Sequence, residues 1–348
     1  MYDDFFKELD DATKKLDMAV ARTFDDKDVI YKGNTARWKS FANTLRLRLA
    51  LRISKADPAR AKTEAEAAIA NGVFASNAEN ALAAVSTTQP NAFNQITGWN
   101  EFRMSATSES LLVGYEDPRG MEFFTGAVST NATFKGKLNG LRNGLSAVQL
   151  GEDENKNDNN SNVSLRFSTT TQNTNPRIVL TYAEACFLSA EAKLNGWNVS
   201  GTAKEWYEKG ITASMNQFGI ADNAKIASYL ASTKKPSTPT GLDRGISNLP
   251  VAFSATDQEQ REQIGIQKWL AIYPDGFEAW AEFRRTGFPK LYTVGNYDSS
   301  TDVPVGQFIQ RIPFTANIRS LNPDGVRAAE DRMGGKGQFV KLWFAGGK

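Results

Sequence analysis

Thr181-Tyr-Ala-Glu-Ala-Cys-Phe-Leu-Ser-Ala-Glu-Ala-Lys-Leu-Asn-Gly-Trp197, followed shortly by Thr202-Ala-Lys-Glu-Trp-Tyr-Glu-Lys-Gly-Ile-Thr-Ala-Ser-Met215, carries two helix signatures in tandem. In the first, Tyr182, Ala185, Cys186, Ser189, Ala190 and Lys193 recur at the three- and four-residue steps of one helical face, and Asn195-Gly196 supplies a left-handed stop. In the second, Ala203, Trp206, Tyr207, Ile211 and Met215 repeat that spacing. The small side chains of Ala183, Ala185, Ala190 and Ala192 allow two helices to approach closely, so the pair reads as one helical hairpin. Such a hairpin cannot bury its apolar stripe alone, which requires others elsewhere in the chain.

A second hairpin is legible upstream. Phe41-Ala42 through Leu49-Ala50, then Pro58, Ala65 and Ile69, aligns in pattern with Tyr182-Ala183 through Ala190-Glu191, then Tyr207 and Ile211, at a separation of about 141 residues. Trp38 to Ile53 is predicted as a helix with Trp38, Phe41, Leu45, Leu49 and Ile53 on its stripe; Asp57-Pro58 caps the next, which runs to Gly72. Asp3 to Arg22, with Phe5, Leu9, Ala12, Leu16 and Val20 at helical spacing, reads as half a hairpin without its partner. The expected fold is therefore mainly α, with tetratricopeptide-like helical hairpins, a loop-rich insertion and an irregular C-terminal wrap.

The rest of the chain divides accordingly. From Ser86 to Thr181, Asn, Thr, Ser and Gly dominate and the helical period fades, which marks an irregular insertion; Gly136, Gly140 and Gly144 call for turns, and Gly151 to Ser161 has a loop composition. A short helix is predicted at Lys225 to Ser232 and two more helices at Asp257 to Tyr273 and Gly276 to Thr286, with loops and short turns from Gly287 onward. The organisation is one unit over 1–348, with hairpins at about 3–80 and 181–232, the insertion at about 86–180, and C-terminal helices and loops at about 257–348.

Composition excludes several function classes. The 348 residues are 41% hydrophobic with a formal net charge of +2, and no basic run is clustered enough for nucleic acid. Arg46, Arg48 and Arg52 lie in a helix, where a solvated or ion-paired face is expected. The chain has no histidine, which removes imidazole bases, Ser-His-Asp systems and His-based metal sites. Its one cysteine, Cys186, reads as a small buried hydrophobe. Asp153, Asn155 and Asn157 begin like a calcium loop, but Asp158 and Ser164 stand where glycine and glutamate are needed, so no metal is expected. No cofactor is expected either. No apolar run reaches membrane-span length, and the N-terminus lacks a signal peptide's basic start and apolar core. The reading is a soluble chain, or a fragment whose targeting end is missing.

Sugar recognition needs flat aromatic faces beside planar hydrogen-bonding groups. The insertion supplies that mixture at Trp99, Asn100, Phe102 and Arg103, with Phe123 and Phe124 as further candidates; weighed against this, and ahead of it for these two rings, stands the expectation that Trp99 and Phe102 plug the insertion's own small core. Trp38, Trp206, Trp269 and Trp280 sit on helical stripes and are expected in packing, Arg284-Arg285 at a helix end is expected to be structural, and Asp117 and Arg119 are expected to brace the insertion as an ion pair. Glu101, Glu109, Glu116 and Asp117 could supply a carboxylate pair for glycoside hydrolysis, but nothing in their spacing marks a catalytic context, and no catalytic residue is assigned.

Glu262 to Pro289, containing Lys268-Trp-Leu-Ala271, Glu278-Ala-Trp280 and Arg284-Arg-Thr-Gly287, resembles the SusD/RagB family of outer-membrane nutrient-binding lipoproteins, in its SusD-like branch. Trp38 to Arg52, Asp117-Pro-Arg119, Thr181-Tyr-Ala-Glu-Ala185, Arg311-Ile-Pro-Phe314 and Leu342-Trp-Phe344 are similar to further family segments, in order along the chain. The resemblance implies a non-enzymatic subunit on the cell-surface face of the outer membrane that captures an oligosaccharide and delivers it to a SusC-like TonB-dependent transporter. Peptide or glycopeptide capture, and a helical scaffold that binds only protein, are the alternatives. Family members begin with a lipoprotein signal, a lipidated cysteine and further helices, so the chain reads as truncated at its front, its membrane association depending on a lipid anchor absent from it.

Overall fold

A computed structural model describes residues 1–17, 25, 27–168, 175–296 and 302–347. In chain order its main elements are helices α1 (Tyr2–Asp17), α2 (Thr35–Arg52) and α3 (Pro58–Ala70), strand β1 (Ala81–Ala83), helices α4 (Ala92–Thr97), α5 (Ala106–Gly114), α6 (Gly120–Phe123), α7 (Ala147–Leu150) and α8 (Leu165–Ser168), and strand β2 (Arg177–Leu180). Then follow α9 (Tyr182–Leu194), α10 (Ala203–Gln217), α11 (Asn223–Leu230), α12 (Asp257–Ala271), α13 (Gly276–Thr286), α14 (Ala316–Leu321) and α15 (Pro323–Met333). The fold is mainly helical and tetratricopeptide-like.

The hairpin read first is its centre. Thr181 caps α9 by accepting from the Glu184 N–H, and Thr202 with Glu205 forms a reciprocal capping box on α10. The two helices meet at Gly210, where an added Cβ would lie 2.7 Å from the Phe187 ring. Helix α9 is buried nearly all round, from Ala183 through Ala190 and again at Ala192, because α2, α10 and α12 all pack on it. Cys186 lies in that interior.

Helices α2 and α3 form the second hairpin, capped by Asn34 and Asp57. Helix α1 is not left alone as expected: it packs along α2. Its buried side is also turned by one residue, since Phe6 is buried and Phe5 is 41% exposed. The remainder of that expected helix, Met18 to Arg22, lies outside the described residues.

Arg48 and Arg52 of α2, expected on a solvated or ion-paired face, are half-buried, ion-paired cations in a network joining four helices. Arg48 chelates Glu184 of α9 at 2.6 and 2.7 Å, and Arg52 reaches Glu278 of α13 at 2.5 Å. Arg285 of α13 clamps Glu191 at 2.6 and 2.7 Å and Glu282 at 2.6 and 3.1 Å, and Lys268 of α12 lies 2.9 Å from Glu282. Burial pushes the Glu282 carboxyl up, but Arg285, Lys268 and Arg52 outweigh it and hold it well below the carboxylate range.

Strands β1 and β2 pair antiparallel, Ala81 opposite Leu180 and Ala83 opposite Arg177, and so clasp the two ends of the insertion. The insertion is more ordered than its composition predicts. Helix α5, capped by Ser105, is buried from Ala106 through Leu112, and its mixed Thr, Ser and Leu content hides it because every side meets protein rather than one. Asp117 and Arg119 form a fully buried pair at 2.6 Å, and the guanidinium continues to Ser214 of α10 at 3.0 Å and Gln267 of α12 at 2.7 Å. The expected brace thus ties the insertion to the scaffold. The C-terminal segment, expected as loops, contains α14 and α15; Asn322-Pro323 caps α15 and Gly334 ends it in a left-handed conformation.

Candidate ligand-binding surface

Four of the six candidate residues occupy one turn. The backbone winds past α4, with the N–H groups of Gly98, Trp99 and Asn100 bonded to the carbonyls of Asn94, Ile96 and Thr97. Asn100 then takes φ = 62°, a conformation asparagine tolerates better than most residues, and the chain reverses. Trp99 is left 65% exposed and Phe102 44% exposed, with Asn100 exposed between them. The alternative, that these aromatics plug a small core, does not hold.

Arg103 holds the turn from beneath. Its guanidinium donates to the carbonyls of Asn157 at 3.0 Å, Asn100 at 2.8 Å and Phe102 at 3.0 Å, so its donors serve the loop itself. Burial lowers its pKa, with Asp158 opposing. The foot of α4 is anchored by Asn94 donating to the Arg166 carbonyl at 3.0 Å and by Thr97 donating to Phe167. Two aromatic side chains are therefore displayed on a braced backbone.

Phe123 and Phe124 stand apart from this surface. Phe123 is 1% exposed, with its ring stacked 4.7 Å from Tyr273 and edge-on to Phe218 at 4.8 Å; Phe124 is 5% exposed and 5.5 Å from Tyr273. The residues are adjacent, yet both turn inward because α6 ends at Phe123 and Phe124 is extended, its backbone bridged to Val163. They wall an aromatic cavity of about 380 Å³ with Phe93, Tyr273 and Trp280, and are not part of the exposed surface at Trp99.

Three of the four helix-stripe tryptophans anchor by their N–H groups: Trp38 to Asp28 at 2.8 Å, Trp206 to the Ser200 carbonyl at 2.7 Å and Trp280 to the Ile309 carbonyl at 3.0 Å. Arg284 stacks 3.6 Å above the Trp280 ring. Asp153 is engaged by Lys156 at 2.9 Å and Asn131 at 2.8 Å, and among the described residues no cluster of three His, Cys, Asp or Glu side chains could hold a metal ion. No described helix is long and apolar enough to cross a membrane.

Sequence reasoning passed over two features. Glu109, weighed only as one of several acids, is buried in α5; burial pushes its carboxyl up to about 7, opposed by a 2.7 Å hydrogen bond from the Gly140 N–H. A cavity of about 490 Å³ beside Lys55, Trp269 and Arg285 had no local signal, since its walls come from distant parts of the chain.

A helical-hairpin scaffold carries a long braced insertion with displayed aromatics, an arrangement suited to binding. The family described as SusD-like, "Susd and RagB outer membrane lipoprotein", matches residues 1–345, and the chain belongs to this nutrient-binding family. Among solved structures, the chain is 35% identical to a chitin-binding SusD homolog from Flavobacterium johnsoniae, with a TM-score of 0.85, covering 99% of this chain and 72% of that one. A SusD homolog from Bacteroides vulgatus is 33% identical with a TM-score of 0.87, covering 100% and 71%. A further structure, described as a chitin-binding protein, is 28% identical with a TM-score of 0.80, covering 99% and 72%. No curated protein matches.

Proposed function

We propose that this chain is a non-enzymatic capture protein that binds an oligosaccharide on the Trp99 turn and hands it to a SusC-like TonB-dependent transporter at the cell-surface face of the outer membrane. The observation that carries the reading is the exposure of Trp99 and Phe102 on a backbone fixed by Arg103. An exposed indole costs solvation unless something flat and partly apolar covers it, and the C–H face of a pyranose does so. Asn100, between the two rings, offers an amide for hydroxyl or acetamido groups. Phe123 and Phe124 act behind this surface as packing that keeps the insertion rigid.

The 35% identity to a chitin-binding homolog supports a β-linked, N-acetylated glycan as the first ligand to try. Calorimetric titration with chito-oligosaccharides is the test. Binding by the wild type that Trp99→Ala weakens at least tenfold supports the reading. Wild-type affinity in Trp99→Ala excludes the turn, and release of shorter sugars by the purified protein excludes a purely capturing role. Co-purification with the transporter tests the delivery step.

A further inference from the structure

The cavity of about 490 Å³ lies between the α2–α3 turn, the end of α9, and helices α12 and α13, and no residue of the Trp99 turn lines it. Its size falls in the range of small-molecule pockets. Trp197, Ile264, Trp269, Ile272 and Phe288 make much of its wall apolar and flat.

Its charges are unequal. Lys55, Arg261, Lys268 and Arg285 face it against Glu191 and Glu282. Both carboxylates are already clamped by Arg285. Arg261 is neutralised by Asp257, at 2.8 and 3.0 Å, and donates two further hydrogens to Asn195 and the Leu194 carbonyl. Lys268 is 3% exposed, and its ammonium, 2.9 Å from Glu282, lacks the alignment of a hydrogen bond with any described group. Lys55, at the mouth, has no hydrogen-bond or ion-pair partner among the described residues. Burial lowers its pKa, Arg285 and Lys341 lower it further, and Glu191 only partly offsets them. The anions are saturated and one exposed cation is left over at the mouth of an apolar interior.

We propose that this cavity is a second binding site, for a small organic acid with a flat apolar body, its carboxylate paired with Lys55 and its ring system packed inward against Trp269 and Ile264. The site is independent of glycan capture.

Calorimetric titration with 2-naphthoate and with its neutral counterpart 2-naphthamide tests this. These probes share a ring system and differ in charge. The expected result is one naphthoate per chain, bound at least tenfold more tightly than the amide, with the preference abolished in Lys55→Gln and restored in Lys55→Arg. Because Lys55 is exposed, an unchanged thermal midpoint will show that the variants are folded. Equal binding of acid and amide by the wild type, a preference that survives Lys55→Gln, or no binding of either probe overturns the proposal. Loss of chito-oligosaccharide binding in Lys55→Gln would overturn the independence of the two sites.

Discussion

Replacing Arg119 by methionine isolates the energetics of the brace between insertion and scaffold. Methionine retains much of the stem's volume and removes the guanidinium, which holds both Asp117 oxygens, at 2.9 and 2.6 Å, together with Ser214 and Gln267. Asp117 would keep only the Tyr229 hydroxyl and the backbone N–H of residue 119 in a site without solvent. Leaving one member of a buried pair behind costs about 3–5 kcal/mol, more than the pair itself contributes, because the stranded charge is desolvated without compensation. The double variant Asp117→Asn/Arg119→Met removes that charge and should recover at least about 1 kcal/mol relative to Arg119→Met, despite carrying one more substitution. The pH dependence distinguishes the two states of Asp117. In the wild type, burial pushes its carboxyl up, but Arg119 and the hydrogen bonds to it prevail and hold it below its usual range. The pair therefore stabilises above the unfolded carboxyl's pKa of about 3.9 and is lost as pH falls through the lower folded value. In Arg119→Met burial loses its main opponent, the folded pKa of Asp117 should rise, and lowering the pH from neutrality should narrow the deficit. Urea unfolding followed by circular dichroism at pH 7 and pH 5 measures all of this. A deficit below about 1 kcal/mol for Arg119→Met, or a double variant weaker than the single one, would refute the reasoning.

Other outcomes follow from single sites. Trp99→Ala should shift stability by no more than about 0.5 kcal/mol, whereas Phe123→Ala should cost about 3–5 kcal/mol; matched urea midpoints for the two would show one burial assignment to be wrong. Gly210→Ala should destabilise by about 1–3 kcal/mol, because the new methyl meets the Phe187 ring across the central hairpin, and a neutral effect would mean that α9 and α10 pack less closely. Glu109, raised to about 7, contributes stability that is full below the unfolded carboxyl's value of 4.5 and lost as pH rises through the folded value. Stability should thus fall between pH 4.5 and 7 through this group, and Glu109→Gln should flatten that slope in a pH series of thermal midpoints.

The central hairpin was legible because its information is local: Thr181 and Thr202 cap and Asn195-Gly196 stops, although its close contact falls at Gly210 against Phe187 and not at the alanines. The Phe5 stripe failed by one residue because Tyr2, Phe6 and Leu9 fit the same spacing, and only the position of α2 decides which set turns inward. Helix α5 escaped notice because a helix surrounded by protein shows no amphipathic period. At the candidate surface, the residue types pointed to Trp99 and Phe102, but the Arg103 strut to Asn157 joins positions 54 apart and has no sequence signature. The pairing of Arg52 with Glu278 spans 226 positions and is equally silent in a single sequence.

The antiparallel clasp of β1 and β2 has a topological consequence. Because Ala81–Ala83 and Arg177–Leu180 lie side by side, the scaffold meets the long excursion between them as two neighbouring ends, whatever its length. Doubling a flexible excursion costs only about 0.6 kcal/mol in closure entropy. The clasp therefore lets the segment behave as an exchangeable cassette: a transplant that carries its own Asp-Pro-Arg plug into the socket formed by Ser214, Tyr229 and Gln267 could change cargo while leaving the helices beneath it untouched.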